Sequence, residues 1–313
     1  MIFDSEILAK WTDGVWHRPL TVGVQGFTID SRSVSEGDCF VALRTDRRDG
    51  HEFVADAAAK GAVAAIVEEA VDHELPQLVV GSSVKGLQDC ASGYRDTLRI
   101  PVIGISGSCG KTSTKDLLSR LLGDDVTLWT EANLNNTLGV PLTLLRIDET
   151  VHKFAVVEVG ISCMGEMDTI CRILKPTHGV ITMIGTAHSE GLGGVKGIAA
   201  EKCKLLEAVD PDGVVVFPGE CEVFEEFNQL DKASVLKVRR CAAANEFGHE
   251  RRYRVEGDWA GFETGNDFCA RDTKIETRDI ETDRDRMQEC GRELRTIIVE
   301  LPAAPVFILS LIH

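Results

Sequence analysis

The first chemical signal lies in Gly104-Ile105-Ser106-Gly107-Ser108-Cys109-Gly110-Lys111-Thr112. Closely spaced glycines let a backbone curl until its N–H groups converge on phosphate oxygens. A helix starting just after such a loop adds the positive end of its dipole. In this arrangement Lys111 reaches the outer phosphates of a nucleotide and the Thr112 hydroxyl holds Mg2+. The strict G-x-x-x-x-G-K-[ST] spacing is not met, because Ile105 occupies the first glycine position. What remains is G-x-x-G-K-T between a strand and a helix. Gly107, Ser108, Cys109, Gly110, Lys111, Thr112 and Ser113 form the candidate nucleotide-binding set.

The elements that must position this loop follow from hydrophobic patterning. Residues 101–106 (PVIGIS) read as a buried strand, and 112–122 as a helix with Leu117, Leu118, Leu121 and Leu122 on one face. Further strands are expected at 153–159, 179–184 and 213–217. Helices are expected at 165–174, stopped by Pro176, and at 196–209. Alternating strands and helices imply a mostly parallel sheet covered on both faces. Upstream, 37–43, 62–67 and 78–80 read as strands and 52–61 as a helix ending on glycine. The expected fold is α/β: a small N-terminal unit at 1–97, then a phosphate-loop unit with a mostly parallel sheet at 98–301. An antiparallel extension belongs to the second unit, since 220–296 is charged and irregular. A strand is expected at 296–301, and 302–313 is a short apolar tail.

Bulk composition excludes several classes. The chain has 313 residues, 43% of them hydrophobic and 27% charged, as in globular proteins. Its formal charge of −16, with no basic stripe, argues against nucleic acid as a partner. No run of 18 apolar residues suggests a membrane span, and the first residues lack a signal-peptide pattern. A cytoplasmic location is expected. The ten cysteines include no C-x-x-C and are expected to be reduced. Cys109, Cys163 and Cys203 fall inside candidate site segments but read as small packing residues.

At this point the sequence resembles the Mur ligases, whose ATP loop has the same variant spacing. Asn135-Asn136-Thr-Leu-Gly139-Val140-Pro141-Leu-Thr-Leu-Leu is similar to the NNxxGVPLTLL stretch of the MurF type. Val156–Gly160 with Gly165-Glu166, Gly185-Thr-Ala187-His188-Ser-Glu190-Gly191 and Ala200-Glu-Lys202 resemble later segments of that type in order. In the first unit, Asp30-Ser31-Arg32 and Asp49-Gly50-His51-Glu-Phe53 look like its uridine-nucleotide domain. The likeness runs from residue 28 to about 220, roughly two-thirds of the chain.

The resemblance implies an ATP-dependent ligase of peptidoglycan synthesis. Its substrates would be UDP-N-acetylmuramoyl-tripeptide and D-alanyl-D-alanine, joined through an acyl phosphate with ATP and Mg2+. Mur-like ligation of another amino acid, or an ATP-binding fragment without turnover, are the alternatives. Lys111, Glu158, His188 and Lys202 become the candidate catalytic residues, and Thr112, Glu158, His188 and Lys202 the candidate metal ligands. Glu158 ends a strand at the carboxyl edge of the sheet, where α/β sites form. Lys202 would be N-carbamoylated, with Lys204 as a rival. Asn135 and Asn136 would lie near nucleotide or substrate, and Ser31 and Arg32 would contact the uridine diphosphate.

Three features depart from the family pattern. Met183 stands where asparagine is usual, and Ser162-Cys163-Met164 replaces Asn-His-Pro, which removes polar groups near the expected substrate. The family's C-terminal domain, which follows a GRHN motif and closes over ATP, has no counterpart before residue 313. The expectation is half of an ATP site without efficient turnover, explained either by a frameshifted or truncated reading frame or by a split enzyme whose third domain is separate.

Overall fold

The computed structural model describes residues 2–186, 191–231, 234–240, 253–259, 294–301 and 304–312. It divides into two compact units, Met1–Arg99 with Glu131–Thr150, and Ile100–Thr130 with Val151–His313. Residues 131–150, read from sequence as part of the second unit, therefore pack with the first.

In the first unit, helix α1 (Ser5–Thr12) begins where the Asp4 carboxylate accepts the Ile7 N–H at 2.8 Å, which satisfies one of the orphan donors of a helix start. Strands β1 (Val15–Trp16), β2 (Gly26–Thr28) and β3 (Asp38–Val41) follow, then a small ribbon of β4 (Arg44–Thr45) and β5 (Arg48–Asp49). A 3-10 turn at Gly50–Phe53 leads into α2 (Val54–Ala59), so the helix expected over 52–61 is split in two. Strands β6 (Ala64–Val67) and β7 (Gln77–Val79) and helix α3 (Ser83–Arg95) complete the first pass. The sheet order is β1-β7-β6-β3-β2, parallel except for β1. Phe40, Val54, Ala57, Ala65, Val67 and Leu75 form a core on one face.

The second unit is built on strand β8 (Val102–Ser106), helix α4 (Lys111–Leu122) and strand β9 (Thr127–Trp129). The chain then forms α5 (Gly139–Leu144), which packs with α3 in the first unit. It continues in the second unit with β10 (Phe154–Glu158), α6 (Glu166–Leu174), β11 (His178–Ile181), α7 (Gly194–Glu207), β12 (Val214–Pro218) and α8 (Glu225–Asn228). Strands β13 (Ser234–Arg240) and β14 (Tyr253–Trp259) extend the sheet, and β15 (Leu294–Leu301) pairs with β16 (Ala304–Ile312) as a separate hairpin.

The large sheet runs β14-β13-β12-β11-β8-β10-β9. Every pairing is parallel except β13–β14. This corrects one expectation: β13 continues the parallel sheet, and the antiparallel extension starts only at β14. Strands β8 and β12 are buried along their whole length, as near-continuous apolar runs require when helices cover both faces.

Gly104 of β8 and Gly179 of β11 stand opposite each other in the ladder. A Cβ on Gly104 would lie 2.9 Å from Leu205, and one on Gly179 would lie 2.9 Å from Leu206. Two facing glycines thus let α7 settle directly on the sheet, which brings its side chains close to the end of β8.

Candidate functional site

Strand β8 releases the glycine loop at the carboxyl edge of the sheet, and α4 starts at Lys111 directly after it. Gly110 has φ +85°, a conformation that favours glycine and turns the chain into the helix. The loop is fastened to the exit of β11. The Thr182 N–H donates to the Ser106 carbonyl at 2.9 Å and the Ser108 N–H to the Met183 carbonyl at 2.9 Å. The Gly185 N–H donates to the Ser108 hydroxyl at 2.9 Å, and the Thr182 hydroxyl donates to the Cys109 carbonyl at 2.5 Å. Lys111 folds back so that its ammonium donates to the Gly107 carbonyl at 2.9 Å.

Thr112, in the first turn of α4, donates its hydroxyl proton to Glu158 Oε2 at 2.9 Å. Glu158 is the last residue of β10 and is 3% exposed. Its own N–H donates to the Thr130 hydroxyl at 2.9 Å, so the strand end is held from the neighbouring chain segment. Among the described residues no group of three or more His, Cys, Asp or Glu forms a metal cage. The available donor set is instead one carboxylate and one hydroxyl beside the glycine loop. Hard oxygen donors of this kind suit Mg2+, which is usually held by one or two carboxylates together with phosphates and water.

The structure separates the two candidate lysines of α7. Lys202 is 3% exposed and its ammonium lies 3.4 Å from the Ser106 hydroxyl, which itself donates to the Val159 carbonyl at 2.9 Å. Burial, and then repulsion from Lys111, push the Lys202 pKa down to about 8. Lys204 turns the other way and pairs with Asp168 at 2.6 Å and Glu201 at 2.8 Å. Glu201, fully buried, also accepts the Gly165 and Met167 N–H groups at 2.7 and 3.1 Å. It thereby caps the start of α6. Glu166 accepts from the Ser162 and Cys163 N–H groups at 2.6 and 3.1 Å. The Ser162–Met164 stretch, where the sequence departs from the family, is thus anchored by carboxylates while its side chains remain exposed, as does Met183.

Lys111, Thr112, Glu158 and Lys202 therefore gather around the end of β8. Gly107, Ser108, Cys109, Gly110 and Ser113 belong to the same loop and helix start. His188 lies outside the described residues. Ser31, Arg32, Asn135 and Asn136 belong to the first unit. There, Arg32 makes a two-pronged pair with Asp30 at 2.9 and 2.7 Å, and hydrogen bonding to Arg32 holds the Asp30 carboxyl down at about 2. The Ser31 carbonyl accepts from Lys60 at 2.8 Å. Asn136 accepts from the Gly139 N–H at 2.8 Å and fixes the turn before α5. His51 is buried and bridges Asp49 at 2.5 Å and the Glu68 N–H at 2.8 Å. Its Nε2 accepts, so its Nδ1–H donates to Asp49.

Sequence reasoning missed Ser106, Thr130, Thr182 and Glu201. Each acts through a contact with a segment far away in the chain; Ser106 and Glu201 lie inside segments that the sequence singles out, but nothing local shows what they touch.

Known proteins resemble this chain in sequence and in fold. Residues 105–278 match the sequence model of the Mur ligase middle domain, and residues 23–113 match that of the Mur ligase family, catalytic domain. The chain is 37% identical over 199 residues to the UDP-N-acetylmuramoyl-tripeptide–D-alanyl-D-alanine ligase of Synechocystis sp., covering 62% of this chain and 44% of that protein. The ligase of the same name from Bacillus subtilis is 35% identical over 201 residues, 63% of this chain and 44% of that protein. The chain thus spans less than half the length of these curated relatives. A crystal structure of MurF from Acinetobacter baumannii is similar with a TM-score of 0.71 and 31% identity, covering 82% of this chain and 58% of that one. MurF ligase from Thermotoga maritima in complex with ADP gives 0.62 and 27%, covering 76% and 56%. Among the described residues no helix is long and apolar enough to cross a membrane. Since the middle-domain match alone takes in more than half of the residues, on a parallel sheet that carries the glycine loop described above, the chain belongs to the Mur ligase family.

Proposed function

We propose that this chain supplies the nucleotide-binding machinery of an ATP-dependent amide-bond ligase of the MurF type. It would join D-alanyl-D-alanine to UDP-N-acetylmuramoyl-tripeptide in the cytoplasmic steps of peptidoglycan synthesis. The observation that carries this reading is the contact between Thr112 and Glu158 at the mouth of the loop. The similarity to relatives with that printed name supports this choice of substrates.

In the proposed reaction a carboxylate oxygen of the peptide attacks the γ-phosphorus of ATP. The bond to the β–γ bridging oxygen breaks and ADP leaves. The amine nitrogen then attacks the acyl carbon, the bond to phosphate breaks, and the nitrogen loses a proton as the amide forms. The protein does little covalent work here; positioning and charge neutralisation dominate. Loop N–H groups from Cys109 to Thr112 cradle the phosphates, since that of Ser108 is taken by the Met183 carbonyl. Lys111 exchanges the Gly107 carbonyl for an outer phosphate oxygen. Thr112 and Glu158 would hold Mg2+, which when bound neutralises phosphate charge. Lys202, close to Lys111 at the end of β8, would place a further ionisable group beside the transferred phosphoryl group; a metal-binding role for His188 is implied by the family resemblance alone. Residues 1–97, with Ser31 and Arg32, take the uridine nucleotide portion, and 98–301 the ATP portion, with Asn135 and Asn136 serving the substrate or phosphates.

The test is phosphate release on mixing ATP, Mg2+, the UDP-muramoyl tripeptide and D-alanyl-D-alanine with the chain, with the C-terminal part of a MurF relative supplied in trans. Release that requires both substrates is expected. ATP binding with no release in any combination would leave a nucleotide-binding fragment, and release with another amine would reassign the substrate.

A further inference from the structure

The exit of β11 does more than continue the sheet. Backbone hydrogen bonds from the Thr182 N–H to the Ser106 carbonyl and from the Ser108 N–H to the Met183 carbonyl continue the β8–β11 pairing past both strand ends, and the Ser108 hydroxyl meets the backbone of Gly185. A further bond comes from the hydroxyl of Thr182, a residue 8% exposed, donating to the Cys109 carbonyl at 2.5 Å. The same hydroxyl lies 3.3 Å from the Ser106 carbonyl. A threonine hydroxyl has one proton, so the shorter contact takes it and the longer one is a side branch.

We propose that Thr182 is a positioning residue for the phosphate loop, holding the Cys109 carbonyl and so fixing the direction of the Gly110 N–H. The peptide bonds of the described chain are trans, and in a trans peptide the C=O and N–H point in opposite directions. With the Cys109 carbonyl held at Thr182, the Gly110 N–H faces away from β11. The Gly107 carbonyl is held by Lys111 and the Ser106 carbonyl by the Thr182 N–H. Three loop peptides are thereby set before any ligand arrives, and two of the three settings come from Thr182. Gly107 is the complement of this device. A Cβ there would lie 1.9 Å from the Thr182 hydroxyl, so only glycine lets the hydroxyl reach past it to Cys109.

This inference rests on the reading of the loop as a nucleotide site, and two measurements keep the two claims apart. The first is amide hydrogen exchange of the ligand-free chain, comparing Thr182→Val, which keeps the shape and removes the donor, with Thr182→Ser, which keeps it. Thr182→Val is expected to speed exchange in peptides covering 106–112 and to leave those of α6 unchanged, while Thr182→Ser restores wild-type protection. Thr182→Ala, measured beside them, gives the same reading without a methyl in the hydroxyl's place. The second measurement is calorimetric titration with Mg-ATP. Thr182→Val is expected to bind about tenfold more weakly, the size of one lost hydrogen bond, with Tm unchanged and Thr182→Ser close to wild type. Wild-type loop exchange in both Thr182→Val and Thr182→Ala would overturn the proposal. Failure of the wild-type chain to bind Mg-ATP would instead overturn the nucleotide reading, with the exchange data still deciding the role of Thr182.

Discussion

The Thr112 hydroxyl donates to the Glu158 carboxylate at 2.9 Å, which joins the first turn of α4 to the last residue of β10. Strand, loop and helix are brought together at one edge of the sheet by this contact. Glu158→Gln keeps an oxygen that can accept from Thr112 but loses the negative charge. In the proposed ligase assay, with the C-terminal part of a relative supplied in trans, turnover should fall about hundredfold or more, as for loss of one preorganised charge in an active site, while the unfolding midpoint in urea stays near wild type. Equal turnover in the variant would remove Glu158 from the site.

Lys202 is a buried lysine whose pKa is pushed down to about 8 by burial and by Lys111. A pKa lower in the fold than in the unfolded chain destabilises the fold below the folded value, because the charged form is favoured in the unfolded state. At neutral pH the Lys202 charge therefore weakens the fold. Lys202→Met should keep or raise Tm and abolish turnover. Lys204→Met should lower Tm, because it leaves the fully buried Glu201 without its cation. A lower Tm with retained turnover for Lys202→Met would reverse this assignment.

Gly107→Ala places a methyl 1.9 Å from the Thr182 hydroxyl and 3.1 Å from the Met183 nitrogen. Overpacking of this kind costs about 1–3 kcal/mol. The expected outcome is a lower urea midpoint together with loss of ATP binding. Normal affinity for ATP would show that the loop tolerates displacement from β11.

His178 opens β11, and its Nδ1 accepts the Val214 N–H at 3.1 Å. Burial lowers its pKa from the ordinary 6.5, with a smaller opposing effect from Asp210. The neutral form is thus favoured in the fold. Its stabilising contribution is present above 6.5 and is lost as pH falls through the lower folded value. Denaturation in urea at stepped pH should show wild type losing stability on acidification more steeply than His178→Asn, which can accept the same N–H without titrating. Parallel curves for the two would exclude His178 as a source of acid sensitivity.

Much of the second unit was legible in sequence. Strands β8, β10, β11 and β12 are runs of Val, Ile and small residues bounded by turns, and α4 and α6 carry clear apolar faces. Helix α3 was not legible. Its sequence, SVKGLQDCASGYR, holds two glycines and few large apolar residues. The structure supplies the reason: a Cβ on Gly93 would lie 2.4 Å from the Trp11 ring, so the glycine that weakens the helical signal is what lets α1 pack against it. Residues 131–150 misled in another way. They follow β9 directly in the chain, yet their contacts lie with α3, where Gln88 donates to the Thr137 carbonyl at 3.0 Å and Tyr94 to the Ile147 carbonyl at 2.6 Å.

By itself the sequence determined the phosphate loop, the alternation that builds a parallel sheet around it, and a carboxylate at the end of β10. These depend on contiguous residues: glycine conformations, apolar periodicity and the turn from strand to helix are local properties. Only the tertiary structure decided that Lys202 and not Lys204 faces the loop, that Ser106 stands between Lys202 and Val159, and that Thr182 holds the Cys109 carbonyl. Those choices follow from strand order and register. Strand β11 comes after β10 in the chain yet pairs with β8, and α7 settles onto Gly104 and Gly179 because their missing side chains leave room. Neither fact is written in any local run of residues, because each depends on how distant segments share the space over one sheet.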